Sequence, residues 1–144
     1  MLNSRKIEDL HPIVQKMCRD FIEKCAEHGI TVAITSTYRD HESQNELFAQ
    51  GRTKPGRIVT KASGGDSYHN WRVAFDFVPM YDGVAHYDDE MLFMLCSKIG
   101  KDCGLEWGGD WKSFKDKPHL QYTDGLTLKD FKAGKKLPAA VRDF

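Results

Sequence analysis

The stretch SYHNWRVAFD, residues 67–76, governs both the fold and the chemistry that we expect of this chain. It places an imidazole, His69, seven residues before a carboxylate, Asp76, between a glycine-containing loop and an apolar run. Side chains seven residues apart on an unbroken strand point to opposite faces of a sheet. The two side chains can therefore face one site only if the backbone turns between them, and we expect that turn at Asn70 and Trp71.

A second imidazole with a nearby carboxylate lies further along, in the stretch DKPH over residues 116–119. Two histidines and one aspartate can hold a tetrahedral zinc ion and leave its fourth position to water. A further carboxylate, Asp116, can then act as general base on that water. From spacing alone, a structural role for His69 and His119 remains the alternative. A structural or surface role is our interpretation of the other four histidines, His11, His28, His41 and His86.

The length of 144 residues is typical of one domain with a real core. Lys plus Arg and Asp plus Glu number 21 each, so we expect no general attraction to nucleic acid or to an anionic membrane. No stretch approaches the roughly 20 apolar residues of a membrane span. The first residues, Met1 to Lys6, lack the apolar core of a secretory signal, which predicts a product that stays in the cytosol until something releases it.

The four cysteines form two pairs, and the members of each pair are seven residues apart within helix-like segments. This places both members on one helical face and does not match the two-residue spacing of a zinc ribbon. In a cytosolic product we interpret them as buried free thiols. They are Cys18, Cys25, Cys96 and Cys103.

Hydrophobic periodicity predicts helices and strands in alternation. Helical stripes lie over 8–28, 40–50, 89–103 and 127–135. β-branched or apolar runs predict strands over 30–38, 73–78 and 120–122, the second of them ended by Pro79 and the following Asp82-Gly83. The buried stripe predicted for the helix over 89–103 consists of Met91, Leu92, Leu95, Cys96, Ile99 and Cys103.

Three further features have a functional and a structural interpretation. Arg39 ends a predicted strand, where functional groups are often presented, although an arginine there is more often a surface salt-bridge partner. Trp107 and Trp111 flank a Gly-Gly pair and form either the wall of an aromatic cleft or part of the core. The long loop over 51–65 meets an anionic substrate or is simply solvated, and its basic residues are Arg52, Lys54, Arg57 and Lys61.

Residues 67–76 resemble the SxHxxGxAxD signature of the D-alanyl-D-alanine carboxypeptidase-like (VanY-type) zinc peptidases. This family includes phage endolysins that cut L-alanyl-D-glutamate bonds in peptidoglycan. The stretches WGGDW over 107–111 and DKPH over 116–119 resemble the second half of the family pattern. Upstream, TSTYR over 35–39 and Gln44 resemble its Ser/Gly-Tyr-Arg and Gln positions. The similarity covers about residues 30–122, in the order of the family.

The resemblance implies an α+β fold, with a small mixed or antiparallel sheet flanked by helices as in the hedgehog-like zinc peptidases. It implies Zn²⁺ as cofactor and Asp116 as the base that also returns a proton to the leaving amine. Arg39 would stabilise the oxyanion or hold a substrate carboxylate. The implied zinc ligands are His69, Asp76 and His119. The implied substrate-binding residues are Gln44, Ser67, Trp107 and Trp111, and Gln44 would also assist Arg39 by hydrogen bonding.

The DKPH stretch looks more like the endolysins than like the Glu-x-x-His pattern of D,D-peptidases, which implies cleavage between L-Ala and D-Glu of the stem peptide. We expect one monomeric catalytic domain over 1–144, without a separate cell-wall-binding module or membrane insertion. It would wait in the host cytoplasm for release through a holin and then cause lysis. The alternatives are a D-Ala-D-Ala carboxypeptidase or dipeptidase of the same family, a catalytically inactive zinc-binding module, and a structural phage or signalling protein that uses the fold without metal.

Arg72 is the one departure from the signature, because it stands where the family has Gly. Glycine permits unusual dihedral angles or close approach of another backbone, and arginine does neither easily. We expect the Arg72 side chain either to block part of the cleft or to contribute a positive charge to substrate carboxylates.

Overall fold

An α+β fold is formed by residues 1–113 and 115–139, the part of the chain that this computed structural model describes. Its helices are α1 (Pro12–Glu27), α2 (His41–Ala49), α3 (Glu90–Asp102) and α4 (Leu128–Lys132). Its strands are β1 (Thr31–Ser36), β2 (Ala74–Tyr81), β3 (Val84–Ala85), β4 (Glu106–Trp107) and β5 (His119–Gln121). Short 3₁₀ helices span Ile7–Asp9, Tyr68–Trp71 and Gly108–Asp110. The predicted fold class is confirmed.

One antiparallel sheet joins the strands in the order β1-β2-β5-β4, and β3 pairs with β2 beside this path. The expectation of a mixed or antiparallel sheet is thus resolved in favour of the antiparallel one for the described strands. β3 and β4 escape prediction, because strands of two residues are too short to show a period. No helix among the described residues has both the length and the apolar character needed to cross a membrane.

The core lies between the sheet and helices α1 and α3. Phe21 of α1 packs edge-on against Phe77 of β2, with ring centroids 5.1 Å apart, and Phe77 contacts Phe93 of α3 at 5.3 Å. Burial of such a side chain stabilises the fold by roughly 1.5–3 kcal/mol. The stripe predicted for α1 is buried at Ile13, Val14, Cys18, Phe21 and Cys25. β2 is therefore packed against both helices through Phe77.

The buried face of α3 differs from the predicted one. Met91 and Leu95 are exposed, although the stripe that we predict includes both. Apolar residues lie on several sides of this helix, so periodicity does not determine which side packs. Gly100 determines the side that packs, because it has no side chain and lets the helix approach the sheet closely there. A Cβ at this position would lie 3.1 Å from Leu120 Cδ1 of β5. The buried residues are Phe93, Cys96, Ser97 and Gly100.

Pro79 does not end β2, contrary to the prediction, and the strand continues to Tyr81. The Pro79 carbonyl accepts a hydrogen bond from His86 N at 3.0 Å. In an antiparallel strand the nitrogen and the carbonyl of one residue face the same side. The missing N–H therefore faces the side of the short β3 and not β1, and a proline is tolerated there. The turn that does end the strand contains Asp82 and Gly83, both with positive φ.

The cysteines are free thiols, and three of them, Cys18, Cys25 and Cys96, are buried. Cys103 is only half-buried, because it caps the exposed end of α3. Burial raises the pKa of the Cys18 thiol to about 12, so this thiol stays protonated and inert. The interpretation as structural thiols is confirmed for the three buried ones.

Candidate metal centre

Two of the predicted metal ligands face each other across neighbouring strands. Asp76 of β2 and His119 of β5 are directly paired in the sheet, so their side chains lie on the same face. His119 Nδ1 lies 3.6 Å from Asp76 Oδ1. The register of the sheet therefore brings together residues that are far apart in the sequence.

The third predicted ligand, His69, reaches the same face through a tight turn. Ser67 caps the 3₁₀ helix Tyr68–Trp71 by accepting a hydrogen bond from His69 N, and the helix ends at Arg72 in the left-handed conformation with φ 65°. This is the turn that we predict at Asn70 and Trp71. It places His69 Nε2 3.1 Å from Asp76 Oδ1.

The three side chains offer one ligand atom each, and these atoms lie within 4.8 Å of one another. His69 Nδ1 lies 2.9 Å from the carbonyl oxygen of Thr37 and donates to it, which leaves the Nε2 lone pair for a metal. His119 Nε2 lies 2.7 Å from Gln121 Oε1, which leaves Nδ1. Within the described residues, that buried Nδ1 has no hydrogen-bond partner. Two imidazole nitrogens and one carboxylate oxygen are a donor set that fits zinc.

The Asp76 carboxylate stays ionised at this position. Burial raises its pKa, but the two imidazoles of His69 and His119 outweigh burial and hold the pKa well below its ordinary value. An ionised carboxylate is the form that binds a metal.

Asp116 lies beside this centre, with Oδ2 3.8 Å from His119 Nδ1. Burial raises its pKa above the ordinary value, and the charge of Asp76 adds to this effect. A carboxyl group with a raised pKa is suited to take up a proton and give it back. Its backbone N–H donates to the Gly108 carbonyl at 3.0 Å, which fixes the turn that leads into β5.

Arg39 brings a guanidinium to the centre, where its Nη2 lies 4.0 Å from Asp76 Oδ2. Nη1 donates to Gln44 Oε1 at 2.9 Å, and Nη2 donates to Ser36 Oγ at 3.1 Å. Ser36 pairs with Asp76 because the register of β1 shifts between Ile34 and Ser36. This β-bulge turns the serine hydroxyl to the face that carries the site.

Gln44 and Trp107, which we expect to bind substrate, do not line the cleft. Gln44 is fully buried, and its Nε2 donates to the Ala62 carbonyl at 2.8 Å, so it supports Arg39 and the loop without being reachable. Trp107 Nε1 donates to the Lys117 carbonyl at 2.8 Å. Its indole also fills the space beside Gly109, where a Cβ would lie 2.2 Å from the ring. Both side chains therefore support the site through hydrogen bonds and packing, and neither lines the cleft.

A cleft of about 880 Å³ opens over the metal centre, and Ser67 and Trp111 line it, as do Arg39 and Asp116. The Trp111 ring lies 4.9 Å from the His119 ring. Residues 59–62 also line the cleft, so the loop over 51–65 does face it. Two of its basic side chains are engaged elsewhere: Arg52 covers the Phe48 ring at 3.9 Å, and Lys54 pairs with Glu46.

Arg72 points away from this cleft, so both expectations for its side chain are wrong. Its Nη1 donates to the Asp9 carbonyl at 2.7 Å, and its guanidinium lies 3.8 Å from the centre of the Tyr38 ring. It lines a second cavity of about 540 Å³. Arg72 adopts the left-handed backbone conformation that a glycine would adopt freely, and its long side chain lies outside the cleft.

Sequence reasoning missed the residues that support the ligands from behind. Gln121 is two residues after His119 on β5, and side chains two apart on a strand share a face, so this one was detectable. Ser36 and Thr37 belong to the TSTYR stretch, but their roles depend on a bulged position and on a backbone carbonyl group, and the sequence does not indicate either role.

Comparisons with known proteins agree with this geometry. Residues 60–122 match the family model described as D-alanyl-D-alanine carboxypeptidase. The chain is 44% identical over 124 residues to the peptidoglycan L-alanyl-D-glutamate endopeptidase CwlK of Bacillus subtilis (strain 168). The aligned region covers 78% of this chain and 73% of that protein. It is 31% identical over 126 residues to the L-alanyl-D-glutamate peptidase of Listeria phage A118, covering 85% of this chain and 40% of that protein.

Its fold is similar to that of the vancomycin-resistance D,D-pentapeptidase VanY in complex with Zn(II), with a TM-score of 0.59 and 18% identity over 83% of this chain and 81% of that one. The fold and the site together define a zinc metallopeptidase. The chain belongs to the D-alanyl-D-alanine carboxypeptidase-like (VanY-type) family of these enzymes, and zinc is its cofactor.

Proposed function

We propose that this enzyme hydrolyses the amide bond between L-Ala and D-Glu in the peptidoglycan stem peptide. The observation that carries the proposal is the convergence of His69, Asp76 and His119 beside Asp116 in one open cleft. The bond is suggested by CwlK and by the phage peptidase, both of which are named for it.

His69, Asp76 and His119 would hold the zinc ion, which supplies a Lewis acid that polarises the scissile carbonyl and makes water a better nucleophile. Asp116 takes a proton from the attacking water and gives it to the leaving amine of D-Glu. Burial raises the pKa of the Asp116 carboxyl above its ordinary value, which favours the exchange. Arg39 stabilises negative charge on the developing oxyanion or on a stem-peptide carboxylate.

Trp111 and Ser67, which both line the cleft, would contact the peptide. Trp111 offers an apolar ring next to His119, and Ser67 lies at the start of the turn that carries His69. In this proposal Gln44 contributes only through Arg39, because it is buried.

The experiment is digestion of purified muropeptides followed by mass spectrometry of the products. Cleavage that frees the amine of D-Glu supports the proposal, and release of D-Ala contradicts it. We expect His69→Ala and Asp116→Ala to abolish product formation while the proteins remain folded. His86→Ala and Asp110→Ala serve as matched controls, because neither residue is among those that line the cleft, and Asp110 pairs with Lys101.

D-Ala-D-Ala carboxypeptidase activity is the second candidate, and the description of the matching family model favours it. The same muropeptide digest decides between the two bonds. A chain that binds zinc and releases neither product would be the inactive zinc-binding module.

An endolysin role is a further part of the proposal, supported by the relative from Listeria phage A118. A monomeric enzyme held in the host cytoplasm would reach the wall only after a holin opens the membrane. Expression in a bacterium should then leave the cells intact until the membrane is permeabilised. That residues 1–144 form one catalytic domain stays a prediction.

A further inference from the structure

Three side chains in series lead away from the metal centre on the far side of His119. His119 Nε2 lies 2.7 Å from Gln121 Oε1, and Gln121 Nε2 donates to Glu106 Oε2 at 3.1 Å. The sheet aligns them: His119 and Gln121 are two residues apart on β5, and Gln121 is paired with Glu106 of β4. His119 and Gln121 are buried, so water does not compete for the first of these contacts.

We propose that Glu106 and Gln121 are positioning residues that fix the tautomer of His119 and so direct its Nδ1 lone pair to the metal. An ionised glutamate only accepts hydrogen bonds, so the amide edge that faces Glu106 must be the NH₂ of Gln121. Gln121 then presents Oε1 to His119, which must donate from Nε2. Nδ1 is left without a proton, and it is the atom that faces Asp76.

The hydrogen bonds of Gln121 and Glu106 oppose the attraction of two nearby carboxylates for a proton on the other ring nitrogen, Nδ1. A proton on His119 Nδ1 would lie between the ring and two carboxylates, Asp76 Oδ1 at 3.6 Å and Asp116 Oδ2 at 3.8 Å. Such a proton is electrostatically favourable and would have to leave before a metal could bind. Holding the proton on Nε2 instead keeps the ligand atom open. The inference rests on the zinc site of the proposed function but not on the bond that is cleaved.

The test combines zinc affinity, measured by competition with a chelator, and the His119 tautomer, read from ¹⁵N NMR of the metal-free protein at a pH where the ring is neutral. We expect Gln121→Met to remove the acceptor, to move the His119 proton towards Nδ1 and to weaken zinc binding about 10–100-fold. Glu106→Gln should have a smaller, several-fold effect. An amide in place of the carboxylate lets the Gln121 amide adopt both orientations.

The exchanged pair E106Q/Q121E gives the sharpest result. A glutamate at position 121 accepts from His119 Nε2, and a glutamine at 106 donates to that glutamate, so the order of donors and acceptors is restored. We expect this double variant to recover the Nε2–H tautomer and most of the zinc affinity lost in E106Q. Thr123→Val is the control, because Thr123 Oγ1 contacts the same Glu106 oxygen at 3.5 Å but not Gln121.

The proposal is overturned if Gln121→Met keeps both the Nε2–H tautomer and the parent zinc affinity, or if the exchanged pair is no better than E106Q. Glu106 is exposed, so E106Q provides the test even if the buried Gln121→Met variant does not fold. The tautomer measurement needs no metal and no substrate. Failure of muropeptide cleavage would therefore refute the proposed function without testing the roles of Gln121 and Glu106.

Discussion

Gly108 and Asp116 approach each other so closely that no side chain fits between them. A Cβ on Gly108 would lie 2.4 Å from the Asp116 carbonyl oxygen and 3.0 Å from His119 Cβ. The Gly108 carbonyl in turn accepts hydrogen bonds from Trp111 N at 3.2 Å and Asp116 N at 3.0 Å. One glycine thus joins the cleft wall, the proposed base and a metal ligand.

Gly108→Ala should therefore damage the site. Relief of the clash requires the segment 116–119 to move, and a displacement of about 1 Å at a catalytic group can cost on the order of 100-fold in kcat/KM. The overpacking should also cost about 1–3 kcal/mol in the free energy of unfolding. Muropeptide kinetics and thermal unfolding provide the measurements.

Gly83→Ala is the matched control for this variant. Gly83 has φ 74° but nothing within 4 Å of an added Cβ. It should cost roughly 1 kcal/mol through backbone strain and leave kcat/KM unchanged. Equal activity of Gly108→Ala and Gly83→Ala would show that the contact with Asp116 has no role in the site.

Removal of zinc by a chelator should abolish hydrolysis and lower the melting temperature. A ligand that binds only the folded state at 100 times its Kd stabilises that state by about 2.7 kcal/mol. For a domain of this size we expect a shift of several degrees, since 1 kcal/mol corresponds to about 2–4 °C. Added Zn²⁺ should reverse both changes. In His119→Ala the melting temperature should no longer respond to zinc, and an unchanged response would argue against this ligand.

Arg72→Gly should leave hydrolysis unchanged, because the arginine side chain contacts Asp9 and Tyr38 and not the cleft. Glycine relieves about 1 kcal/mol of left-handed backbone strain, which offsets the loss of those contacts. Arg72→Ala loses the contacts and keeps the strain, so it should be less stable than Arg72→Gly by about 1 kcal/mol. Chemical denaturation gives this order, and a tenfold loss of activity in Arg72→Gly would contradict the outward orientation.

Gln44→Leu should act through Arg39. The substitution leaves Arg39 Nη1 without its acceptor and the Ala62 carbonyl without its donor, at a cost of about 1–3 kcal/mol in stability. It should also lower kcat/KM, and this loss should largely vanish when Arg39 is already alanine, because the two residues act as one unit. Independent, additive losses in a double-mutant cycle would exclude the coupling.

Much of the site could be predicted because its chemistry depends on residue type and local spacing. His69 and Asp76 belong to one short stretch, and the period of a strand already requires a turn between them. The supporting residues escape such reasoning. Gln44 is a polar side chain whose burial is decided by α2 and the loop around Ala62, and Trp107 is turned away from the cleft by its bond to Lys117.

By itself, the sequence determined which groups are available: two imidazoles, two carboxylates and a guanidinium, with helices and strands whose apolar periods define an α+β core. Only the tertiary structure decided which of these groups meet. Asp76 and His119 share a face because β2 and β5 pair in one register, and a shift by one residue would turn one of them to the other face. Arg72 faces away from the cleft because its left-handed backbone sends the side chain towards Tyr38. Register and side-chain direction arise from contacts between distant segments, and local sequence patterns do not encode them.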